Sequence, residues 1–286
     1  DLKYRIDAAK ISMVITDKEN SGKVEEISND CPTLATRLVT DAKLPGWISY
    51  IEEIDYPAPV SRHLVKIAGM ERTKSTDPLV IYFTSGTTGE PKLVLHNHAL
   101  PLGHVTTGGF WLDLKPHDLH FTYADTGWAK SSWGKFFGPW LQGACILVYD
   151  VRGRFKPTEL LPVLEKYEIT VFCAPPTVYR MLILADLEKF DLTSLRHCVS
   201  AGEPLNPEVI RVWKEGTGLT IYEGYGQTEL VLVIGTFPCM DARPGSMGKP
   251  SPGWQIELHD DEGRPVPPGD TGRIAIRIHP RPVGMF

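Results

Sequence analysis

A short stretch of hydroxyl and glycine residues, TSGTTGEPK, follows the apolar run LVIYF and ends at Lys92. Gly86 and Gly89 permit backbone conformations in which successive amide groups turn toward one ligand, an arrangement that binds anions. Lys92 adds a positive charge, and hydroxyl donors come from Thr84, Ser85, Thr87 and Thr88. This combination of groups predicts a phosphate ligand.

Two common phosphate-binding motifs do not fit this stretch. A P-loop needs a lysine directly after its second glycine and a helix beyond it, whereas Pro91 intervenes here and the residues from Lys92 to His96 have an extended pattern. The dinucleotide motif is also absent, because neither Gly86 nor Gly89 has a glycine two residues before it. By composition alone, an exposed hairpin turn stays open as the alternative.

Two further loops follow strand-like runs. SAGEPL spans 200–205 and EGYGQTE spans 223–229. In an open parallel sheet, ligands bind outside the carboxyl ends of the strands, so we expect all three loops to meet at one crevice. Gly202 and Gly224 let the backbone approach a flat ring, Tyr225 can stack on that ring, and Glu229 offers a carboxylate to Mg²⁺. The three loops together predict an ATP site.

The motifs YFTSGTTGEPK and YGQTE resemble the signature motifs of the adenylate-forming enzymes, which include acyl-CoA synthetases, luciferases and peptide-synthetase adenylation domains. The segments at 124–144 and 174–182 are most similar to the medium-chain acyl-CoA synthetase branch. The resemblance implies an α/β fold of mostly parallel sheets with helices on both faces. At the C-terminal end it implies the start of a small antiparallel β-barrel.

The resemblance also implies roles for the residues of the three loops. The mobile loop that holds the β- and γ-phosphates would be Thr84, Ser85, Gly86, Thr87, Thr88, Gly89, Glu90, Pro91 and Lys92. One wall of the adenine slot would be Gly202, Glu203 and Pro204. The residues lining adenine and the α-phosphate would be Glu223, Gly224, Tyr225, Gly226, Gln227 and Thr228. Lys92, Thr228 and Glu229 would be catalytic, with Glu229 binding Mg²⁺.

The acyl pocket is predicted from the segment ADTGWAKSSWGKFFGPW. The resemblance implies that Trp128, Gly134 and Lys135 face the substrate. The indole of Trp128 would shorten the pocket and favour small or branched acids. The aromatic residues at helical spacing from Trp133 to Trp140 are more typical of a buried core face.

The implied function is an ATP-dependent acyl-CoA synthetase that forms an acyl-AMP from a short- or medium-chain acid and transfers the acyl group to CoA. ATP, Mg²⁺ and CoA are the implied cofactors. An adenylating enzyme with another acceptor stays open, as does a nucleotide-binding fragment without activity of its own. The family's ribose-binding aspartate, hinge residue and lid lysine lie outside residues 1–286, so we expect the chain to be a fragment.

Composition limits the partners. The 286 residues carry a formal net charge of −5 with dispersed basic residues, so nothing indicates nucleic acid, and no apolar run approaches the roughly 18 residues of a membrane span. We predict small-molecule partners, namely the acid, ATP and CoA, and leave monomer or dimer open. The five cysteines are widely separated and lie mostly in apolar runs, which predicts buried thiols in a reducing compartment. No signal-peptide pattern opens the chain, so we predict a cytoplasmic protein. His96, His98 and His104 are ordinary histidines in our interpretation, with a zinc site as the alternative.

The order of the elements predicts three parts. Residues 1–70 would be the remnant of a first α/β subdomain, in which DKENSGK is a turn. Residues 71–245 would form the central nucleotide-binding subdomain, with strands at 170–173, 196–200 and 219–222 and helices at 176–187 and 206–216 between them. Residues 246–286 would form a small β subdomain, and the C-terminal lid domain would be absent.

Overall fold

The computed structural model describes residues 1–54, 72–84, 89–150 and 156–279. The chain divides into two compact units, residues 1–95 and residues 96–286, with the division inside one strand.

The first unit opens with a three-stranded parallel sheet flanked by helices. Its elements are α1 (Leu2–Ala8), β1 (Met13–Thr16), α2 (Lys18–Ser28), β2 (Thr36–Val39), β3 (Ile48–Ser49) and α3 (Tyr50–Ile54). The predicted turn DKENSGK is wrong, because these residues begin α2. Asp17 caps this helix by accepting a hydrogen bond from the Asn20 amide at 2.8 Å, and Val24 is buried in a cluster with Val39 and Trp47.

The strands on either side of the predicted phosphate-binding loop form a separate two-stranded sheet. They are β4 (Pro78–Thr84) and β5 (Lys92–Asn97). The extended conformation predicted for Lys92 to His96 is therefore confirmed.

The second unit is built on a seven-stranded sheet that is parallel over most of its width. In chain order, the elements of this unit begin with α4 (Leu100–Thr106), a π-helical turn (Thr107–Trp111), β6 (Leu119–Thr122), α5 (Ala129–Ser132), a second π-helical turn (Trp133–Phe137), α6 (Gly138–Leu141) and β7 (Cys145–Ile146). Then follow α7 (Pro157–Lys166), β8 (Val171–Cys173), α8 (Pro176–Leu182), a 3₁₀ turn (Leu187–Lys189), β9 (His197–Ala201), α9 (Pro207–Thr217), β10 (Ile221–Gly226), β11 (Leu232–Gly235) and β12 (Lys249–Pro250). The strand order is β12-β11-β10-β9-β8-β6-β7, and the strands from β10 to β7 are parallel.

Both faces of this sheet are buried, which explains the short, continuously apolar strands. Along β8, Phe172 belongs to a core shared with α7, α8 and α9, whereas Val171 and Cys173 belong to a second core with Trp111. The alternation follows from the two-residue period of a strand. The predicted α/β fold with helices on both faces is confirmed.

Local sequence signals mark both ends of helix α9. The Asn206 side chain accepts a hydrogen bond from the Glu208 amide at 2.9 Å at the start of α9, as its position in the sequence predicts. The helix ends at Thr217, one residue beyond the predicted end at Gly216, and Gly218 caps it with φ +76°.

At the amino ends of the central strands lies an ion-pair network. Arg196, which precedes β9, donates to the Asp118 carboxylate at 2.9 Å and to the Asp113 carboxylate at 2.8 Å. Thr170, which precedes β8, donates to Asp118 at 2.8 Å. These bonds connect the amino ends of three strands, at the end of the sheet opposite the loops at 200–205 and 223–229.

The C-terminal part contains the antiparallel pair that the sequence predicts, β13 (Ile256–His259) with β14 (Arg273–Ile276). All five cysteines are free thiols. The predicted burial is confirmed for Cys31, Cys173 and Cys198 and is wrong for Cys145 and Cys239, which are exposed. Within the described ranges, no helix is both long enough and apolar enough to cross a bilayer.

Candidate active site

The second unit brings together two of the three predicted loops. β9 and β10 are neighbouring parallel strands in which Ala201 is paired with Gly224. The loop at 200–205 and the residues from Glu223 onward therefore leave the same end of the sheet side by side. Residues 223–226, predicted as a loop, are the last residues of β10.

The third predicted loop belongs to the first unit. Ser85, Gly86, Thr87 and Thr88 lie outside the described residues. Thr84 ends β4, the exposed Gly89 has φ +124°, and the exposed Lys92 begins β5. A φ of this sign favours glycine, as the predicted anion-binding turn requires.

The loop at 200–205 turns at Gly202. Its φ is +109°, a left-handed conformation that residues with a Cβ rarely adopt. The neighbouring Glu203 is exposed and lies 3.6 Å from the guanidinium of Arg180 on α8. Exposed ion pairs of this kind contribute little to stability. The pair does place the Arg180 guanidinium beside the Glu203 carboxylate.

A buried carboxylate joins the two loops. Glu223 Oε1 accepts a hydrogen bond from the Leu205 amide at 3.0 Å, and the Glu223 backbone oxygen accepts one from Trp111 Nε1 at 3.1 Å. Burial raises the pKa of Glu223, and the bond from Leu205 opposes that rise only in part. The predicted contact of Glu223 with nucleotide stays a prediction, while its side chain holds the first loop against the second.

The raised pKa of Glu223 has a consequence for stability. A carboxyl group whose pKa is higher in the folded than in the unfolded protein stabilises the fold most at low pH, and this contribution is lost as the pH rises through the folded pKa. Glu223→Gln keeps an oxygen acceptor for Leu205 but does not titrate. We expect the variant to gain stability over the wild type as the pH rises from about 4 to about 7, measured by urea unfolding. Glu188→Gln, at an exposed site, is the control substitution. If the wild type instead became more stable relative to Glu223→Gln as the pH rises, the assignment would be contradicted.

The second loop is fixed at its far end by a histidine whose role the sequence did not reveal. The buried His96 donates from Nε2 to the Thr228 carbonyl oxygen at 2.7 Å. Within the loop, Gln227 donates to the Tyr225 hydroxyl at 3.0 Å. The backbone at the predicted catalytic residue Thr228 is thus tied to β5, whereas the neighbouring Glu229 is exposed. Among the described residues, no three His, Cys, Asp or Glu side chains are grouped so that they could hold a metal.

Gly226 allows the hairpin between β10 and β11 to close. The pairing of the two strands is irregular between Tyr225 and Gly226, and a Cβ at position 226 would lie 2.5 Å from the Val231 carbonyl oxygen. Because that neighbour is backbone, a side chain here displaces one of the two strands.

We expect Gly226→Ala to destabilise this hairpin by about 1–3 kcal/mol, the usual range for an overpacked site. Hydrogen exchange of the β10 and β11 amides measures the effect locally. Gly22→Ala is the matched control, since Gly22 is exposed within α2 and a Cβ there meets no atom within 4 Å. The control should stabilise α2 by up to about 1 kcal/mol. If hydrogen exchange of the β10 and β11 amides were the same in Gly226→Ala as in the wild type, the contact between a Cβ at position 226 and the Val231 carbonyl oxygen would have no effect on stability.

Two cavities lie where β6, β7 and β8 end, and Tyr123, Ala124 and Asp125 line both of them. One has a volume of about 290 Å³ and is lined by Tyr123, Ala124, Asp125, Trp128, Lys130, Pro175, Thr177, Val178 and Met181. The other has a volume of about 330 Å³ and is lined by Phe121, Thr122, Tyr123, Ala124, Asp125, Thr126, Lys135, Tyr149 and Asp150. The first is mainly apolar and the second mainly polar.

The three predicted substrate residues do not share one cavity. Trp128 lines the apolar cavity, and Lys135 lines the polar one, where its ammonium donates to the Ala124 carbonyl oxygen at 3.0 Å. Gly134 is buried, and a Cβ there would lie 2.5 Å from Thr122 Oγ1, so the glycine allows the second π-helical turn to pack on β6.

The aromatic residues from Trp133 onward only partly follow the predicted core face. Trp133 and Phe137 pack near the buried His104, with ring centroids 5.7 and 5.8 Å from the histidine ring. Trp140 is 62% exposed. The π-helical turn adds a residue to the helical repeat, which shifts the side chains after it to another face.

Several known proteins are similar to this chain in sequence or in structure. Human acyl-coenzyme A synthetase ACSM3, mitochondrial, is 45% identical over all of this chain, which covers 48% of that relative. A crystal structure of the anthranilate CoA ligase AuaEII with anthranoyl-AMP aligns with 99% of this chain and 53% of its own, at a TM-score of 0.88 and 31% identity. The Brucella canis acyl-CoA synthetase aligns with 100% of this chain and 51% of its own, at a TM-score of 0.84 and 28% identity. The chain therefore spans about half the length of the curated relatives that it matches.

The names of these relatives contradict one prediction. The matched ACSM3 and ACSM5 proteins are mitochondrial, so the predicted cytoplasmic localisation is wrong. Free cysteines indicate a reducing compartment but do not distinguish one such compartment from another.

The family comparison agrees with the motifs and with the fold. Residues 1–280 match the family described as AMP-binding enzyme. The chain belongs to the AMP-binding enzyme family, whose members are the adenylate-forming enzymes that its two signature motifs resemble.

Proposed function

We propose that the complete protein is an ATP-dependent acyl-CoA synthetase that activates a short- or medium-chain carboxylic acid. The observation that carries this proposal is the position of the apolar cavity beside the two joined loops, in a chain of the AMP-binding family. Lys130 lines that cavity and donates to Ala201 at the start of the loop at 200–205. A volume of about 290 Å³ is close to the lower end of the range for small-molecule sites, which agrees with a small acid. We also propose a mitochondrial location, as in the named relatives.

The proposed reaction has two steps. A carboxylate oxygen of the acid attacks the α-phosphorus of ATP, the bond from that phosphorus to the bridging oxygen breaks, and pyrophosphate leaves. The thiol sulfur of CoA then attacks the carbonyl carbon of the acyl-AMP, AMP leaves, and the thiol proton passes to solvent. Transfer of this kind needs alignment and neutralisation of charge more than an enzyme nucleophile.

The roles proposed for the loops follow the motifs. The residues from Thr84 to Lys92 hold the β- and γ-phosphates, those from Gly202 to Pro204 form one wall of the adenine slot, and Tyr225 packs on the base. Thr228 contacts the α-phosphate or the acyl carbonyl. Glu229 is an exposed single carboxylate, which fits Mg²⁺, because this ion is commonly bound by one or two carboxylates together with substrate phosphates and water. Bound Mg²⁺ would neutralise charge on the phosphates.

The proposed domain division keeps residues 1–70, 71–245 and 246–286 as three parts, with a lid domain outside them. On this proposal the complete protein makes the acyl-adenylate and the thioester, and the 286-residue chain alone binds nucleotide.

The test is a screen of carboxylic acids with the complete protein and the 286-residue chain in parallel. ATP–pyrophosphate exchange measures the first step, and CoA-dependent release of AMP with formation of the thioester measures the second. The proposal requires both activities in the complete protein. Exchange without CoA dependence would favour an enzyme with another acceptor, and a preference for long straight-chain acids would contradict the short pocket bounded by Trp128.

A further inference from the structure

A lysine that the motifs do not assign lines the apolar cavity. Lys130, in α5, is partly buried, and its ammonium donates to the Ala201 carbonyl oxygen at 2.7 Å. Burial lowers the pKa of Lys130, although the negative charge of Glu203 opposes that shift. An ammonium group has three N–H donors, and among the described residues Ala201 is the one acceptor bonded to it. Lys130 therefore has hydrogen-bonding capacity left for a ligand in the cavity.

Of the described residues that line the cavity, Asp125 is the one with a negative charge that could neutralise this ammonium. The cavity wall is formed largely by Trp128, Pro175, Val178 and Met181. The carboxylate of Asp125 accepts a hydrogen bond from the Gly127 amide at 2.7 Å within its own turn. A cation held against an apolar wall favours a ligand with an apolar body and one anionic end.

The carboxylic acids of the proposed reaction have this form. A triphosphate carries several charges and needs many donors, whereas the cavity presents one ammonium. The pantetheine arm of CoA carries amide groups that an apolar wall leaves without hydrogen bonds. A carboxylate with a hydrocarbon or aromatic body fits both the charge and the wall.

We propose that Lys130 binds the carboxylate of the acid substrate and holds it beside the turn at Gly202, an inference that rests on the proposed acyl-CoA synthetase function. The bond to Ala201 fixes the ammonium at the carboxyl end of β9, where the proposed adenine wall begins. One carboxylate oxygen accepts from Lys130 while the other attacks the α-phosphorus. In the acyl-AMP, the same N–H donates to the carbonyl oxygen.

The test compares Lys130→Met and Lys130→Arg in the complete protein. Lys189→Met is the matched control, since Lys189 is an exposed lysine paired with Asp186 away from the cavity. ATP–pyrophosphate exchange gives separate KM values for hexanoate and for ATP. We expect Lys130→Met to raise the KM for hexanoate by about 10- to 100-fold and to leave the KM for ATP unchanged, the loss that one charged hydrogen bond predicts. Lys130→Arg should recover part of that loss.

A binding measurement keeps this inference separate from the proposed function. Calorimetry compares hexanoate with hexanamide, which has the same body without the charge. The wild type and Lys189→Met should prefer the acid, and Lys130→Met should lose that preference while keeping the affinity for hexanamide, which also shows that the cavity is still folded. If the wild type prefers the acid but adenylates nothing, the proposed function fails, while loss of the preference in Lys130→Met still shows that Lys130 binds a carboxylate. A preserved preference in Lys130→Met, or a defect confined to the CoA step, would overturn the inference.

Discussion

Lys92→Ala in the complete protein is expected to lower the rate of ATP–pyrophosphate exchange by at least several tens-fold. Negative charge moves onto the leaving pyrophosphate as the α-phosphorus is attacked, and removing one group that stabilises such charge commonly costs about 100-fold or more. The position of Lys92 supports this role, because the lysine is exposed at the first residue of β5, directly after the predicted phosphate-binding turn. Because the Lys92 side chain is exposed, its removal should affect the proposed phosphate contact without disturbing a core.

The pair of variants Lys92→Ala and Glu229→Gln separates phosphate binding from metal binding. Both should slow exchange, but only Glu229→Gln should shift the Mg²⁺ concentration that gives half of the maximal rate, since Glu229 is the proposed Mg²⁺ ligand. Lys23→Ala is the control for Lys92→Ala, because Lys23 lies on the exposed side of α2 and donates to Asn20. Near-normal ATP–pyrophosphate exchange in both Lys92→Ala and Glu229→Gln would contradict the proposed roles of Lys92 in phosphate binding and of Glu229 in Mg²⁺ binding.

The sequence was sufficient to predict the elements that carry the site. The strands β8, β9 and β10 and the helix α9 were predicted within a few residues, because apolar runs, Asn206 and the glycines after α9 are local signals. The neighbouring position of β9 and β10 followed from the parallel topology, which also placed the loops at 200–205 and 223–229 side by side.

The contacts that hold the site together were not predictable in the same way. Glu223 bonds to a residue 18 positions away, Lys130 to one 71 positions away, and His96 to one 132 positions away. None of these partners is marked by spacing, because tertiary packing and not local conformation brings them together. For Lys130 a signal existed, namely a lysine between Trp128 and Trp133 in a segment with otherwise apolar or small residues, but the same pattern is typical of a solvated helix face.

Local composition was misleading at two places. Ser21 and Gly22 favour a turn, yet the cap at Asp17 and the burial of Val24 stabilise a helix there. The π-helical turn at Trp133–Phe137 changes which aromatic residues face the core, and no pattern in the sequence predicts such a turn. Packing decides both cases, since each segment contacts parts of the chain that are distant in sequence.

Arg196→Met is expected to lower the free energy of unfolding by about 3 kcal/mol, the loss found when one partner of a buried ion pair is removed. The side chain of Asp118 is fully buried and that of Arg196 is 32% exposed. Burial alone would raise the pKa of Asp118, but hydrogen bonds from Arg196, the Lys115 amide and Thr170 outweigh it and keep that pKa below its usual value. Without the guanidinium, the carboxylate remains buried without its cation.

Urea unfolding at several pH values tests both the size and the cause of this effect. Because the pKa of Asp118 is lowered in the fold, its contribution is present above the unfolded pKa and is lost as the pH falls through the folded pKa. The difference between the wild type and Arg196→Met should therefore shrink as the pH falls from about 7 to about 3, where Asp118 of the variant takes up a proton.

Two further variants isolate the buried carboxylate as the cause. Arg211→Met removes a guanidinium that pairs with Glu208 and Glu215 on the exposed face of α9, and it should lower the free energy of unfolding much less than Arg196→Met does. Adding Asp118→Asn to Arg196→Met removes the unpaired charge, so the double variant should be more stable than Arg196→Met alone. If Arg196→Met lost no more stability than Arg211→Met, the network before β6, β8 and β9 would be equivalent to a surface ion pair, and the alignment of these strands would depend on the two apolar cores alone.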